Sequence, residues 1–232
     1  MKKIFKRCLL IVISFILVFA LFIADYYNLL PQKKYYNSDF SIETVYSEVD
    51  YNNNGKDDYT DFLLGAKKDA QNKPRYDGSY VEGGFPSDDV GVCTDVIWRS
   101  FKMAGYNLRD MIDNDVSRRR DDYIYIDIQD CYIDFRRVGN LRIFFEKYAI
   151  ILTNDISQID QFQPGDIVIF NGNDHIGIVS DIRNSKGVPY IIHNGGQPVR
   201  EEDYLKRNPQ ISGHYRFDSS LIDQEILVKW ED

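Results

Sequence analysis

Seventeen consecutive uncharged residues, CLLIVISFILVFALFIA from Cys8 to Ala24, follow directly on MKKIFKR, whose seven residues carry four cations and no acid. A run this apolar has no place on the surface of a water-soluble domain, and its length is near the lower limit for crossing a bilayer. It is longer than most signal-peptide cores, and no small-x-small cleavage site precedes Asp25. Residues 1–24 therefore read as an uncleaved signal anchor, with a cleaved signal as the alternative. Cys8 sits directly behind Lys6 and Arg7 and lacks the small-residue context of a lipoprotein cysteine. The basic flank predicts residues 1–7 in the cytoplasm and the remainder outside, as a single-pass protein of the cell membrane.

The exported part is acidic. Taking those four cations from the 28 basic residues leaves 24 against 36 acidic ones. Such a surface repels phosphate backbones, and nucleic acid is not expected as a partner. With 232 residues, 44% of them apolar, the chain can bury one catalytic-sized core. Residues 25–49 are polar and tyrosine-rich, contain Pro31 and show no sustained period, so they read as a tether. The domain is expected over residues 50–232.

That domain opens with DYNNNGKDDYTD, residues 50–61, which has the spacing of a calcium-binding loop. The ligands would be Asp50, Asn52, Asn54, the Lys56 carbonyl, Asp58 and Asp61, with Gly55 at the sharp turn. Asp61 is shorter than the usual glutamate. The alternative is an Asn-rich loop that caps the next helix.

Helical spacing follows in DFLLGAKKDAQ from Asp61, ended by Pro74, and in CTDVIWRSFKMAG, where Val96, Ile97, Phe101 and Ala104 share a face. NLRDMIDND and NLRIFFEKYA predict two short helices, each opened by an Asn cap. The stretch YIYIDIQDCYIDF between them reads equally as strand or irregular chain. Short β-rich runs then follow, DIVIF, HIGIVSDI, PYIIHNGG and ISGHYRF, separated by turn residues. The expected class is α+β, with helices grouped ahead of an antiparallel sheet.

Two cysteines outside the anchor, Cys93 and Cys131, could form a disulfide in an exported protein. Cys93, however, stands where a glycine- and aspartate-rich loop enters a helix. Free N–H groups at a helix start favour the thiolate, which is the nucleophilic form. Such a nucleophile needs an imidazole to take its proton and return it to the leaving amine. Of the three histidines, His175 begins one predicted strand and His193 ends the next, so a hairpin brings both rings to one end. His175 is then the base and His193 the group that orients it. Zinc held by Cys93, His175 and His193 is a weaker alternative, because none of these ligands comes as a close pair. His214 reads as structural. The charged SDDVG loop, Asp134 and Arg136-Arg137 are candidate binding contacts or simply solvated.

These residues resemble the NlpC/p60 group of bacterial cell-wall cysteine peptidases in three blocks: Tyr80-Val81-Glu82-Gly83-Gly84 ahead of Cys93, the strand from His175 to Val179, and the Ile-Ile pair before His193. A closer resemblance, over about residues 50–217, is to the bacterial domain-of-unknown-function family 1287, an outlying relative of that group. It rests on DDVGVCTDVIWR, DFRRVGNL, QPGDIV, HIGIVSD and HNGG in order. The resemblance implies a papain-like fold with the nucleophile's helix packed on an antiparallel sheet. It also implies Tyr80 in the substrate cleft, an oxyanion donor at the Cys93 N–H, and peptidoglycan or another envelope amide as substrate. No cofactor is expected for catalysis. One departure is that Val92-Cys93-Thr94 replaces Asp-Cys-Ser, so no acid precedes the nucleophile. The same residues would also serve an acyltransferase, and a wall-binding module without turnover is the non-catalytic alternative.

Overall fold

A computed structural model describes residues 2–231. Its first helix, α1 (Lys2–Tyr26), is about 37 Å long at 1.5 Å per residue, enough to cross a hydrocarbon core of about 30 Å. Within Lys3–Tyr26 the most apolar 18 residues have a mean hydropathy of 2.9, and none of them is buried in the protein. By length and composition this helix can span a membrane.

The stretch read as a tether is not free of the domain. Tyr35 exchanges two main-chain hydrogen bonds with Arg183, at 3.1 and 2.7 Å, and Asn37 is buried, donating to Gln163 Oε1 at 3.1 Å. Arg183 itself is fully buried and donates to Asn37 Oδ1 and to the carbonyls of Ile159, Phe162 and Gly187. A buried guanidinium needs this many acceptors to compensate for lost water. Asn37, in the stretch read as a tether, is therefore one of the partners of a buried arginine.

Among the described residues four further α-helices and two sheets follow. Helix α2 (Asp58–Asn72) starts three residues earlier than its apolar pattern suggests, because Asp57 caps it and accepts from Thr60 N–H at 3.3 Å. Strands β1 (Arg75–Tyr76) and β2 (Val90–Gly91) form a small parallel pair that leads into α3 (Cys93–Met103). Helix α4 (Leu108–Arg118) is capped by Asn107 as expected. Helix α5 (Val138–Tyr148) is not opened by Asn140, which lies inside its first turn and donates to the Asp134 carbonyl at 3.0 Å. The aromatic stretch between α4 and α5 is irregular, with short 3-10 turns.

The main sheet contains β3 (Ile150–Ile151), β4 (Ile167–Phe170), β5 (His175–Arg183), β6 (Pro189–Ile192), β7 (Glu201–Glu202) and β8 (Ile211–Arg216). Its order is β3-β8-β4-β5-β6-β7, antiparallel throughout. Alternation along β4 sends Ile167 and Ile169 into the helical core and Val168 and Phe170 into a second cluster with Phe162, Val179, Ile191 and Leu205. Both faces are covered, which rigidifies the central strands. The architecture is the expected mixed α+β, with helices on one face of an antiparallel sheet.

Helices α2 and α3 cross at Gly65. A Cβ there would lie 2.7 Å from Ser100 Cα and 2.9 Å from the Arg99 carbonyl, so only glycine permits the approach. Arg99 and Asp69 form a buried ion pair across the same crossing. This contact sets the height of α3, and with it the position of Cys93.

Candidate active site

Cys93 is the first residue of α3, and its surroundings hold that helix end rigidly. Val92 N–H donates to Asp95 Oδ2 at 2.7 Å, closing the first turn. Asp95 is fully buried and meets Arg136 through both oxygens, at 2.8 and 2.9 Å, while the Trp98 indole adds a third donor at 2.7 Å. Arg136 also holds the Ser79 carbonyl at 3.1 Å, and Asn194 Nδ2 holds the Gly91 carbonyl at 2.8 Å. An acid thus does stand at the helix start that bears Cys93, two positions after the cysteine instead of before it. Its charge is committed to Arg136, so Arg136 is a structural partner.

Burial pushes the Cys93 thiol up to about 11, and the charge of Asp95 adds to the rise. The main-chain N–H groups of Ile176, Thr94 and Cys93 act in the opposite sense. The Ile176 contact brings the start of β5 against the sulfur. His175, the preceding residue, is mostly buried, and burial followed by the neighbouring His193 lowers its pKa to about 3. Both shifts favour the neutral forms of thiol and imidazole. Among the described residues His175 hydrogen-bonds to His193 and not to the thiol.

The two histidines meet as the hairpin spacing anticipates. Ile178 pairs with Ile192 across β5 and β6, which leaves both rings at the same end of these two strands. His175 Nε2 lies 2.8 Å from His193 Nδ1, and His193 Nε2 lies 3.1 Å from Glu202 Oε1. This geometry dictates the protons. An ionised carboxylate only accepts, so His193 carries its proton on Nε2 and presents Nδ1 as an acceptor. His175 then donates from Nε2, and its Nδ1 is left as a bare lone pair. Burial pushes the Glu202 carboxyl up, but hydrogen bonds from His193 and Arg207 outweigh it and hold the group below its usual range. Arg207 Nη2 stands 2.6 Å from the same oxygen.

Tyr204 packs on both imidazoles, with its centroid 4.2 Å from His193 and 5.6 Å from His175. Burial and, next, the charge of Cys93 raise the Tyr76 phenol. Tyr80 lies farther out. It is 57% exposed and donates to Asp130 Oδ2 at 3.1 Å. Cys93 and Cys131 are both free thiols, which removes the disulfide reading. Both ring nitrogens of His193 are occupied by His175 and Glu202, which argues against a shared zinc. His214 is fully buried, bonded to the Thr153 carbonyl at 2.7 Å and to Asp166 at 3.1 Å.

The loop at residues 50–61 lies apart, ahead of α2. Asp50, Asn52, Asn54 and Asp61 are brought together there by mutual hydrogen bonds. Asp58 is not among them. Its carboxylate accepts from Tyr51 N–H at 3.0 Å and from the hydroxyls of Tyr106 and Ser219.

Glu202, Tyr204 and Tyr76 escape the sequence reading. In REEDY an acidic pair looks like a solvated turn. Only the pairing of Ile191 with Glu202 across β6 and β7 carries the carboxylate under His193. The usable signal was an acid returning in a strand beyond the His193-Asn-Gly-Gly turn.

A family model described as a domain of unknown function, DUF1287, matches residues 63–217 and so contains Cys93, His175, His193 and Glu202. The uncharacterized protein YijF of Escherichia coli (strain K12) is 34% identical over 163 residues, covering 66% of this chain and 78% of that protein. No solved structure matches. With two thirds of its length matched in this way, the chain belongs to the DUF1287 family.

Proposed function

We propose that this protein is a membrane-anchored cysteine hydrolase that cleaves an amide bond in the cell envelope, peptidoglycan being the substrate class. The observation that carries the reading is the hydrogen-bonded line from His175 through His193 to Glu202. It leaves His175 Nδ1 as the free acceptor, one residue before Ile176, whose main-chain N–H meets the sulfur of a cysteine at a helix start. A helix-borne cysteine packed on an antiparallel sheet that supplies the histidine also supports a papain-like arrangement of the NlpC/p60 kind. The apolar α1 and its basic flank support an anchor with the domain outside the cytoplasm.

In this mechanism His175 Nδ1 takes the thiol proton as sulfur attacks the substrate carbonyl carbon. The negative charge moves to the carbonyl oxygen, where the Cys93 N–H at the helix start stabilises it. The imidazolium, supported by His193 and Glu202, then protonates the amine nitrogen, and the C–N bond breaks to leave a thioester. Water, deprotonated by the same Nδ1, releases the acid and restores the thiol. The neutral resting pair suits general-base catalysis, in which the proton moves as the bond forms.

The test is full-length protein in detergent, incubated with purified peptidoglycan and read by mass spectrometry. New fragments are expected from the wild type, and Cys93→Ala should lower their rate by roughly four orders of magnitude or more. Fragments released equally by Cys93→Ala would refute the nucleophile, and no release by the wild type would remove peptidoglycan as the substrate.

A further inference from the structure

We propose that the loop from Asp50 to Asp61 is a calcium site, with the side chains of Asp50, Asn52, Asn54 and Asp61 and the main-chain carbonyl of Lys56 as ligands. This site is separate from Cys93 and lies before the region matched by the family model. It does not depend on the proposed hydrolase activity.

The loop is already folded around its own oxygens. Asn54 N–H and Gly55 N–H both reach the Asp50 carboxylate, at 3.0 and 2.8 Å. Asn54 N–H also donates to Asn52 Oδ1 at 3.0 Å, and Lys56 N–H to Asn54 Oδ1 at 2.8 Å. Gly55, at φ +85°, makes the turn that closes the loop. Each of these side-chain oxygens keeps a second lone pair for a cation.

A separate observation points to the ligand. Asp61 is only 1% exposed, and its Oδ1 is sealed from solvent with no hydrogen-bond partner. Its Oδ2 accepts from Asn52 Nδ2 and Asn54 Nδ2, at 3.1 and 2.7 Å, so the carboxylate faces the loop. Burying a carboxylate oxygen without a donor is unfavourable, and native proteins rarely do so without an ion or water to meet it. A divalent cation seated in the loop supplies that partner. The same distances answer the objection that an aspartate at the twelfth position is too short. Helix α2 begins at the ninth position, Asp58, and carries Asp61 against the loop.

The chemistry selects calcium. Asp50 and Asp61 are the loop's two carboxylate ligands, so an ion here would take amide and main-chain oxygens as well. Hard oxygen donors in irregular number suit calcium, whereas magnesium demands a tight octahedron and retains its waters. With only two carboxylates the expected Kd is on the order of 10⁻⁴–10⁻³ M, the range of extracellular calcium modules. The loop is also tied to the end of α3. Asn52 Nδ2 donates to the Met103 carbonyl at 2.8 Å, and the Tyr51 ring stacks on Tyr106 at 4.1 Å. Calcium would therefore brace the α2–α3 pair.

The test uses full-length protein in detergent, stripped with a chelator. Terbium should show luminescence sensitised by Tyr51 and Tyr106, displaced by calcium and not by equal magnesium. Calcium at roughly ten times its Kd should raise Tm by about 3–6 °C. Asp61→Asn should abolish both responses, Asn54→Ala, at an exposed position, should weaken them, and Asp88→Asn, outside the loop, should retain them. If Asp61→Asn fails to fold, Asn54→Ala decides. A magnesium response equal to that of calcium, no calcium response in the wild type, or full retention in Asp61→Asn or Asn54→Ala would overturn the site.

Discussion

The molecule builds the same three-part device twice. In one copy His193 Nε2 meets Glu202 at 3.1 Å and Arg207 meets the same carboxylate at 2.6 Å. In the other His214 Nε2 meets Asp166 at 3.1 Å and Arg216 meets that carboxylate at 2.7 and 2.8 Å. Both histidines and both acids are buried. The difference lies at the remaining ring nitrogen. His214 Nδ1 ends on the Thr153 carbonyl, and its ring is stacked on Phe162 at 4.1 Å. His193 Nδ1 instead faces a second imidazole, that of His175, the residue before the Ile176 N–H that meets the Cys93 sulfur. A histidine, a carboxylate and an arginine in line therefore make a brace. A brace becomes a relay only when it hands its polarity to a group that can react.

The contrast breaks most sharply at the carboxylates. Glu202→Gln lets the amide N–H face His193 Nε2, reverses both tautomers and takes the lone pair from His175 Nδ1. Turnover should fall by about 10²–10⁴-fold while the protein remains folded, as kinetics and a melting curve on the same sample would show. Unchanged turnover would reduce His193–Glu202 to a brace like its counterpart. Asp166→Asn should act on stability alone, costing about 3–5 kcal/mol by leaving the part-buried Arg216 without its charge partner, a cost that Glu202→Gln shares at Arg207. Its activity per folded molecule should match the wild type, and a denaturant titration alongside kinetics separates the two effects.

The smallest effect sharpens the comparison at the thiol itself. The Cys93 thiol is pushed up to about 11 and His175 is lowered to about 3, so the pair is neutral between those values. A raised thiol pKa means less thiolate at neutral pH, and the thiolate is the species that alkylates. Alkylation of Cys93 should therefore rise roughly tenfold per pH unit toward pH 11. A plateau from pH 5 to 8 would instead reveal a thiolate–imidazolium pair, and the relay would then be charged at rest.

Much of this protein is legible in one dimension. The apolar run of α1 needs no partner to declare itself, because its length and lack of charge are those of a helix able to cross a bilayer. The helical face of α3, the strand histidines and Cys93 at a loop-to-helix junction follow from local periodicity and turn residues. Helix caps were half readable. Asn107 caps α4, whereas Asn140 is drawn inside α5 by the carbonyl of Asp134.

What only the tertiary structure decided is which polar residues are buried and against whom. Asn37 looks like tether and is a partner of Arg183. Asp58 looks like a loop ligand and is held by Tyr106 and Ser219 from distant parts of the chain. Glu202 looks like surface and polarises two histidines. Local sequence reports the backbone's preferences over a few residues, and those depend on neighbours in the chain. The state of a buried polar group depends on neighbours in space, which strand pairing brings together only once the whole core has closed.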